Sequence, residues 1–89
     1  MIEREIEIIN RLGLHARAAA KLVDCAARFS SQIRLTKEQQ QVDAKSIMSV
    51  MMLAAGQGSL VTLHIEGDDE NAALEALCAL INDRFGEPD

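Results

Sequence analysis

Residues 2–22 contain the change of period that decides the fold: Ile2-Glu3-Arg4-Glu5-Ile6-Glu7-Ile8-Ile9-Asn10-Arg11-Leu12-Gly13-Leu14-His15-Ala16-Arg17-Ala18-Ala19-Ala20-Lys21-Leu22. From 2 to 8 the chain alternates. Ile2, Ile6 and Ile8 share one face and Glu3, Glu5 and Glu7 the other, the pattern of a half-buried strand with one wet face. Asn10 to Gly13 breaks the alternation. From Ala16 the period is helical: Ala19, Leu22, Val23, Ala26 and Phe29 form one stripe, and Arg17, Lys21, Asp24 and Arg28 lie off it.

The same two periods recur along the chain. Gln32-Ile33-Arg34-Leu35-Thr36-Lys37 alternates as a short strand, and Val42 lies in a weaker one after a turn at Glu38-Gln39-Gln40. Residues 46–54 read as a short helix, with Ser46 as its N-cap and Gly56 as its stop. Residues 59–66 alternate again, with Val61, Leu63 and Ile65 on one face, and Gly67 turns the chain. Asp68 is the expected cap of a last helix, Asp69 and Glu70 complement its dipole, and Leu74, Leu77, Cys78, Ile81 and Phe85 form its stripe. The order β-α-β-β-α-β-α predicts an α+β open-faced sandwich. A four-stranded antiparallel sheet is expected to carry three helices on one face and water on the other.

A chain of 89 residues is expected to form one domain, residues 1–89, around one thin core. It has little room for a deep cavity, which favours a function exercised at the surface. The formal net charge is −5, but residues 1–45 hold eight of the nine basic residues and are net +2, whereas residues 46–89 are net −7. An acidic whole argues against nucleic acid as a partner, while a basic first half still suits a phosphate or an acidic protein surface. Cys25 and Cys78 fit neither a metal-ligand spacing nor a disulfide framework and read as buried small hydrophobes. No apolar run reaches the ~20 residues of a membrane span. The charged start Met1-Ile2-Glu3-Arg4-Glu5 is no signal peptide, so cytoplasm is the expected compartment.

His15 stands where a strand has ended, a glycine permits a tight turn and a helix begins. The free N–H groups of a helix start favour anions, and Ala16, Arg17 and Ala18 would let one approach. Arg17 adds a guanidinium suited to phosphate. The positive end of the dipole disfavours a protonated imidazole by ~0.3–1 kcal/mol, and the neutral ring is the nucleophile. Spacing alone leaves two readings open: a phosphoryl acceptor, or a histidine that only caps the helix.

Gly13-Leu14-His15-Ala16-Arg17, followed by small residues, resembles the active-site signature of the HPr family, the histidine-containing phosphocarriers of the bacterial phosphoenolpyruvate-dependent phosphotransferase system. Ala44-Lys45-Ser46-Ile47-Met48-Ser49-Val50-Met51-Met52-Leu53-Ala54-Ala55 resembles that family's regulatory-serine region, in register with the first motif. The resemblance implies a transient phosphohistidine at His15, phosphate contacts from Arg17, enzyme I as donor and an enzyme IIA-type domain as acceptor. It implies a carrier and not a catalyst on its own, a monomer, and no cofactor. It also makes Ser46 a candidate target of a serine kinase and phosphorylase that switch the carrier. Two positions depart from the common pattern: Ala18 stands where many members have proline and keeps its N–H, and Leu12 replaces a small polar residue. Leu12 resembles the nitrogen-related branch of the family.

Other residues carry weaker signals. Ser46 needs no role beyond capping. In its helix, Val50, Leu53 and Ala54 form a core stripe, and Ile47, Met48 and Met51 fall to one side. They are expected to form an adaptable docking patch, with Lys21 and Lys45 as basic partner contacts, unless a loop or the first helix covers them. His64 reads as a solvated strand histidine. Nothing in the acidic run Glu66, Asp68, Asp69 and Glu70 has the spacing of a metal site. The rival to a carrier is a regulatory interaction protein acting through the Ile47–Met51 surface without obligatory phosphoryl transfer. A small-ligand module is disfavoured by two Phe and no Tyr or Trp.

Overall fold

The computed structural model describes residues 1–88. Its elements are β1 (Ile2–Glu7), α1 (Ala16–Ala27), β2 (Gln32–Lys37), β3 (Gln40–Asp43), α2 (Ile47–Met52), β4 (Leu60–Glu66) and α3 (Glu70–Asn82), followed by one 3-10 turn at Arg84–Gly86. The four strands form one antiparallel sheet in the order β1-β4-β2-β3. The expected architecture is the observed one.

Register follows from the period-2 pattern. Ile2 lies opposite Ile65, which lies opposite Ile33; Ile6 faces Val61, and Leu63 faces Leu35. These rows line the face under the helices, and all of them but Ile2 are buried. Glu3 pairs with His64 and His64 with Arg34 on the open face. His64 is not simply solvated there. Its Nε2 is 2.9 Å from Thr36 Oγ1 and its Nδ1 3.0 Å from Glu3 Oε2, so it is a strand residue held from both sides.

Helix faces differ from the sequence expectation in detail. In α1 the buried residues are Ala18, Ala19, Leu22, Cys25 and Ala26. Val23 and Phe29 are only partly buried; Phe29 lies beyond the end of the helix at Ala27. In α3 the buried residues are Ala73, Leu77 and Ile81, while Leu74 and Cys78 are half-buried. Burial pushes both thiols up from their ordinary pKa, that of Cys25 and that of Cys78 alike. Phe85 is fully buried, from the 3-10 turn that follows α3.

Three boundary expectations are corrected. Gln40 belongs to β3, and the turn before it is tightened by Glu38, at φ 57°. The stop of α2 is not Gly56 but Ala54, at φ 52°. Lys37 Nζ donates to the last carbonyls, Leu53 and Ala54, each at 3.2 Å, a cation where the helix dipole favours one. Ala54 is exposed and Ala55 buried in its stead. At α3 the cap position belongs to Asp69 rather than Asp68. Its carboxylate accepts from the N–H groups of Ser30 at 2.9 Å and Ser31 at 3.0 Å, and from the Ser31 hydroxyl. It therefore staples the α1–β2 connection to the start of α3.

Those bonds, the Ser31 hydroxyl first and the Ser30 amide next, lower the Asp69 carboxyl from 3.8 to about 2. The stability they contribute is complete above about pH 4 and is lost as pH falls through about 2. Asp69→Asn should lower the melting temperature at pH 7, and the gap to the parent protein should close in a series of melts carried from pH 5 down to pH 2.

Candidate functional site

The turn between β1 and α1 is built from two close contacts. Asn10 is fully buried; its Nδ2 donates to the Gly13 carbonyl at 2.8 Å, and the Gly13 N–H donates back to the Asn10 carbonyl at 3.1 Å. Gly13 has φ 67°, and a Cβ there would stand 2.5 Å from the Ala55 carbonyl oxygen and 2.6 Å from Gly56 Cα. No side chain fits. The next residue, Leu14, donates its N–H to Ala55 at 2.8 Å. The chain leaving α2 thus fixes where α1 begins.

His15 occupies the N-cap position of α1, with φ −73° and ψ 178°, but its side chain makes no cap hydrogen bond. The capping reading fails on this geometry. Its carbonyl accepts the first helical bond, from the Ala19 N–H at 2.8 Å. The N–H groups of Ala16, Arg17 and Ala18 precede that bond and have no partner within the helix. The imidazole is 28% exposed and is hydrogen-bonded through Nε2 to the Glu87 carboxylate. Among the described residues Nδ1 has no hydrogen bond.

An open cleft of about 610 Å³ is lined by Arg11, Leu12, His15, Ala16, Arg17, Glu87 and Pro88. Arg17 is exposed, and among the described residues its guanidinium has no hydrogen bond or ion pair. Glu87 also accepts from Asn10 Nδ2, at 3.1 Å. Burial pushes this carboxyl up, but the hydrogen bonds from Asn10 and His15 and the nearby Lys21 ammonium outweigh it, and the net direction is down. Among the described residues no group of His, Cys, Asp and Glu is arranged to hold a metal, and no helix is long and apolar enough to cross a membrane.

The other expected residues divide by position. Ile47, Met48, Met51 and also Met52 are exposed on α2, Met48 by 72%, and Leu12 is 64% exposed beside His15. Met48 and Met52 are mostly open, whereas Ile47 at 42% and Met51 at 38% are partly covered on a helix that packs against α1. Lys21 donates its Nζ to the Phe85 carbonyl at 2.6 Å and Lys45 its Nζ to the Phe29 carbonyl at 2.7 Å. Both are thus committed to backbone oxygens. Ser46 caps α2, its Oγ accepting from the Ser49 N–H at 3.3 Å. It stands at the start of α2, next to Lys45, whereas the opposite end leads to Ala55 and the His15 turn.

Glu87 and Asn10 escape a reading by motif and period. Glu87 lies 72 residues from His15, in a tail with no period of its own. The one signal is Phe85, whose place on the last apolar stripe implies that the tail folds back to the core.

The sequence matches the family model described as the PTS HPr component phosphorylation site over residues 2–83. It is 60% identical to the phosphocarrier protein HPr of Cupriavidus necator over 87 residues, 98% of each chain. It is 42% identical to the phosphocarrier protein NPr of Shewanella violacea, over 97% of this chain and 94% of that one. The structure superposes on the crystal structure of HPr-C-His from Thermoanaerobacter tengcongensis with a TM-score of 0.96 at 52% identity, covering 100% of both chains. Fold, motif and length all agree, and the chain belongs to the HPr family, the phosphocarriers of the phosphoenolpyruvate-dependent phosphotransferase system, which carry a phosphoryl group and are not themselves catalysts.

Proposed function

We propose that this protein accepts a phosphoryl group from enzyme I on His15 and passes it to an enzyme IIA-type domain, working as a monomer in the cytoplasm. The observation that carries the reading is the state of the His15 ring. It stands at an open helix start, held at Nε2, and among the described residues Nδ1 has no hydrogen bond and Arg17, beside it, no ion pair. The Nδ1 lone pair attacks phosphorus as the bond from phosphorus to the donor breaks, and that bond's electron pair stays on the donor. Arg17 and the N–H groups of Ala16, Arg17 and Ala18 receive the phosphoryl oxygens.

The contact from Arg17 is charge-assisted and worth about 1.5–3 kcal/mol. Few such contacts surround the ring, which suits a carrier: it must release the group to the next protein as readily as it takes it. The exposed Leu12, Ile47, Met48, Met51 and Met52 form an apolar surface near the ring for partners to cover. Contact through the Ile47–Met51 surface alone, without phosphoryl transfer, would leave Arg17 and the open helix start without a purpose.

Ser46 acts in this proposal as a site for a serine kinase and phosphorylase. A phosphate at a helix N-terminus is tolerated by the fold. Its place at the start of the helix that carries Ile47, Met48 and Met51 puts its charge at the edge of the proposed docking surface.

Intact-mass analysis after incubation with enzyme I and phosphoenolpyruvate should show one acid-labile phosphate. His15→Ala should show none at an unchanged melting temperature, and Arg17→Ala should be phosphorylated about 10- to 100-fold more slowly, as the loss of one charged contact requires. Phosphate retained on His15→Ala would place the acceptor elsewhere.

Ser46→Asp should raise the carrier concentration needed for half-maximal transfer, and added salt should restore it, because repulsion at an exposed rim is screened. An unchanged concentration dependence at every salt would leave Ser46 as a helix cap only.

Gly13→Ala should lower stability by about 1–3 kcal/mol, since a Cβ cannot fit against Ala55 and Gly56. Thermal unfolding measures it. Because the start of α1 shifts with the turn, transfer should slow as well.

A further inference from the structure

We propose that Glu87 is a positioning residue for His15, holding the Nε2–H tautomer and facing the positive charge the ring gains when Nδ1 takes the phosphoryl group. This rests on the carrier reading.

The tail reaches the site along a determined path. After α3, Arg84 and Phe85 both have φ 55°, a region that side chains other than glycine disfavour. They stay there because the Phe85 ring is wholly buried and its carbonyl accepts from Lys21 Nζ at 2.6 Å. The Gly86 N–H donates to Asp83 at 3.0 Å and the Glu87 N–H to Arg84 at 2.9 Å. The backbone that presents Glu87 is therefore anchored without help from the Glu87 carboxylate.

That carboxylate has both oxygens engaged: Oε1 with Asn10 Nδ2 and Oε2 with His15 Nε2. Asn10 is buried and also tied to the Gly13 carbonyl, so one amide orients both the active-site turn and the carboxylate. The bonds to Asn10 and His15 outweigh burial and keep the Glu87 carboxyl ionised at neutral pH. An ionised carboxylate only accepts, so Nε2 must donate. A neutral imidazole has a single N–H, which leaves the lone pair on Nδ1.

The step balances on these atoms. Nδ1 gives its lone pair to phosphorus, the bond to the donor breaks, and the electron pair of that bond remains on the donor. The ring keeps its Nε2–H and becomes cationic. Glu87 lies against that N–H, on the side of the ring away from the new bond. A buried carboxylate plays the same part behind the imidazole of hydrolytic triads, orienting the ring and stabilising its charge. Transfer onward reverses the step, and the ring returns to neutral with the same proton in place.

The test compares the parent protein with Glu87→Ala and Glu87→Gln. In the free proteins, proton NMR of 15N-histidine-labelled samples should show a downfield N–H resonance on His15 Nε2 in the parent, retained in Glu87→Gln and lost to exchange in Glu87→Ala. In transfer from phosphorylated enzyme I, the maximal rate of Glu87→Ala should fall about tenfold, the scale at which partners behind a reacting group act. The half-saturating concentration should not change, and Glu87→Gln should lie between. A parent protein with no such resonance, or a Glu87→Ala protein with an unchanged maximal rate, would overturn the proposal. Absence of phosphate on the parent would overturn the carrier reading and this one with it; phosphate on the parent with an unchanged rate in Glu87→Ala overturns this one alone.

Discussion

The constraint on which the site depends is the approach of the Gly13 backbone to Ala55 and Gly56. A Cβ at residue 13 would stand 2.5 Å from a carbonyl oxygen, so two chain segments meet with no side chain between them. The consequences reach the whole site. The contact sets the direction in which the chain enters α1, and hence where the helix's unpaired N–H groups point. It joins the end of α2 to the start of α1, which puts the apolar surface of α2 beside His15. It also holds Asn10 in the position from which its amide reaches Glu87.

The rest of the fold supports that junction by simple means. The sheet buries one face because its apolar residues alternate, and α1 packs against α2 and α3 with Ala18, Ala19 and Ala26 buried. Asp69 ties the far end of α1 to α3, and Phe85 closes the core from the tail. A domain this thin has no interior left for the remaining apolar side chains of α2. Their exposure is a geometric result of wrapping a six-residue helix on one side only, and the end of that helix leads to the turn that carries His15.

The site joins strong positioning to weak binding. The imidazole is held by a charged hydrogen bond, and its turn is held by Asn10 and Gly13. By contrast, the groups available to a phosphate are a solvent-exposed guanidinium and helix N–H groups at the rim of an open cleft. Such groups interact weakly in water. That asymmetry fits a protein whose task is to present a group to two partners in turn, with the partners completing the surroundings.

Much of this was legible in the amino-acid order. Alternation at Ile2–Ile8 and at Val61–Ile65, and helical periods between, determine an antiparallel sheet with helices on one face. Gly13 before His15 marks a turn that needs a positive φ, and the motif around His15 and Arg17 marks the family, because these are local patterns governed by backbone geometry. Which residue ends α2, which aspartate stands at the cap of α3, and where Lys21 and Lys45 direct their charges are decided by neighbours distant in sequence. Ala54 can take the left-handed position because Lys37, from another strand, satisfies the carbonyls there. Glu87 is the clearest case: a carboxylate 72 residues from the histidine has no period or spacing to announce it. Only packing of Phe85 into the core brings it to the ring, since side-chain hydrogen bonds depend on positions in space that no local pattern encodes.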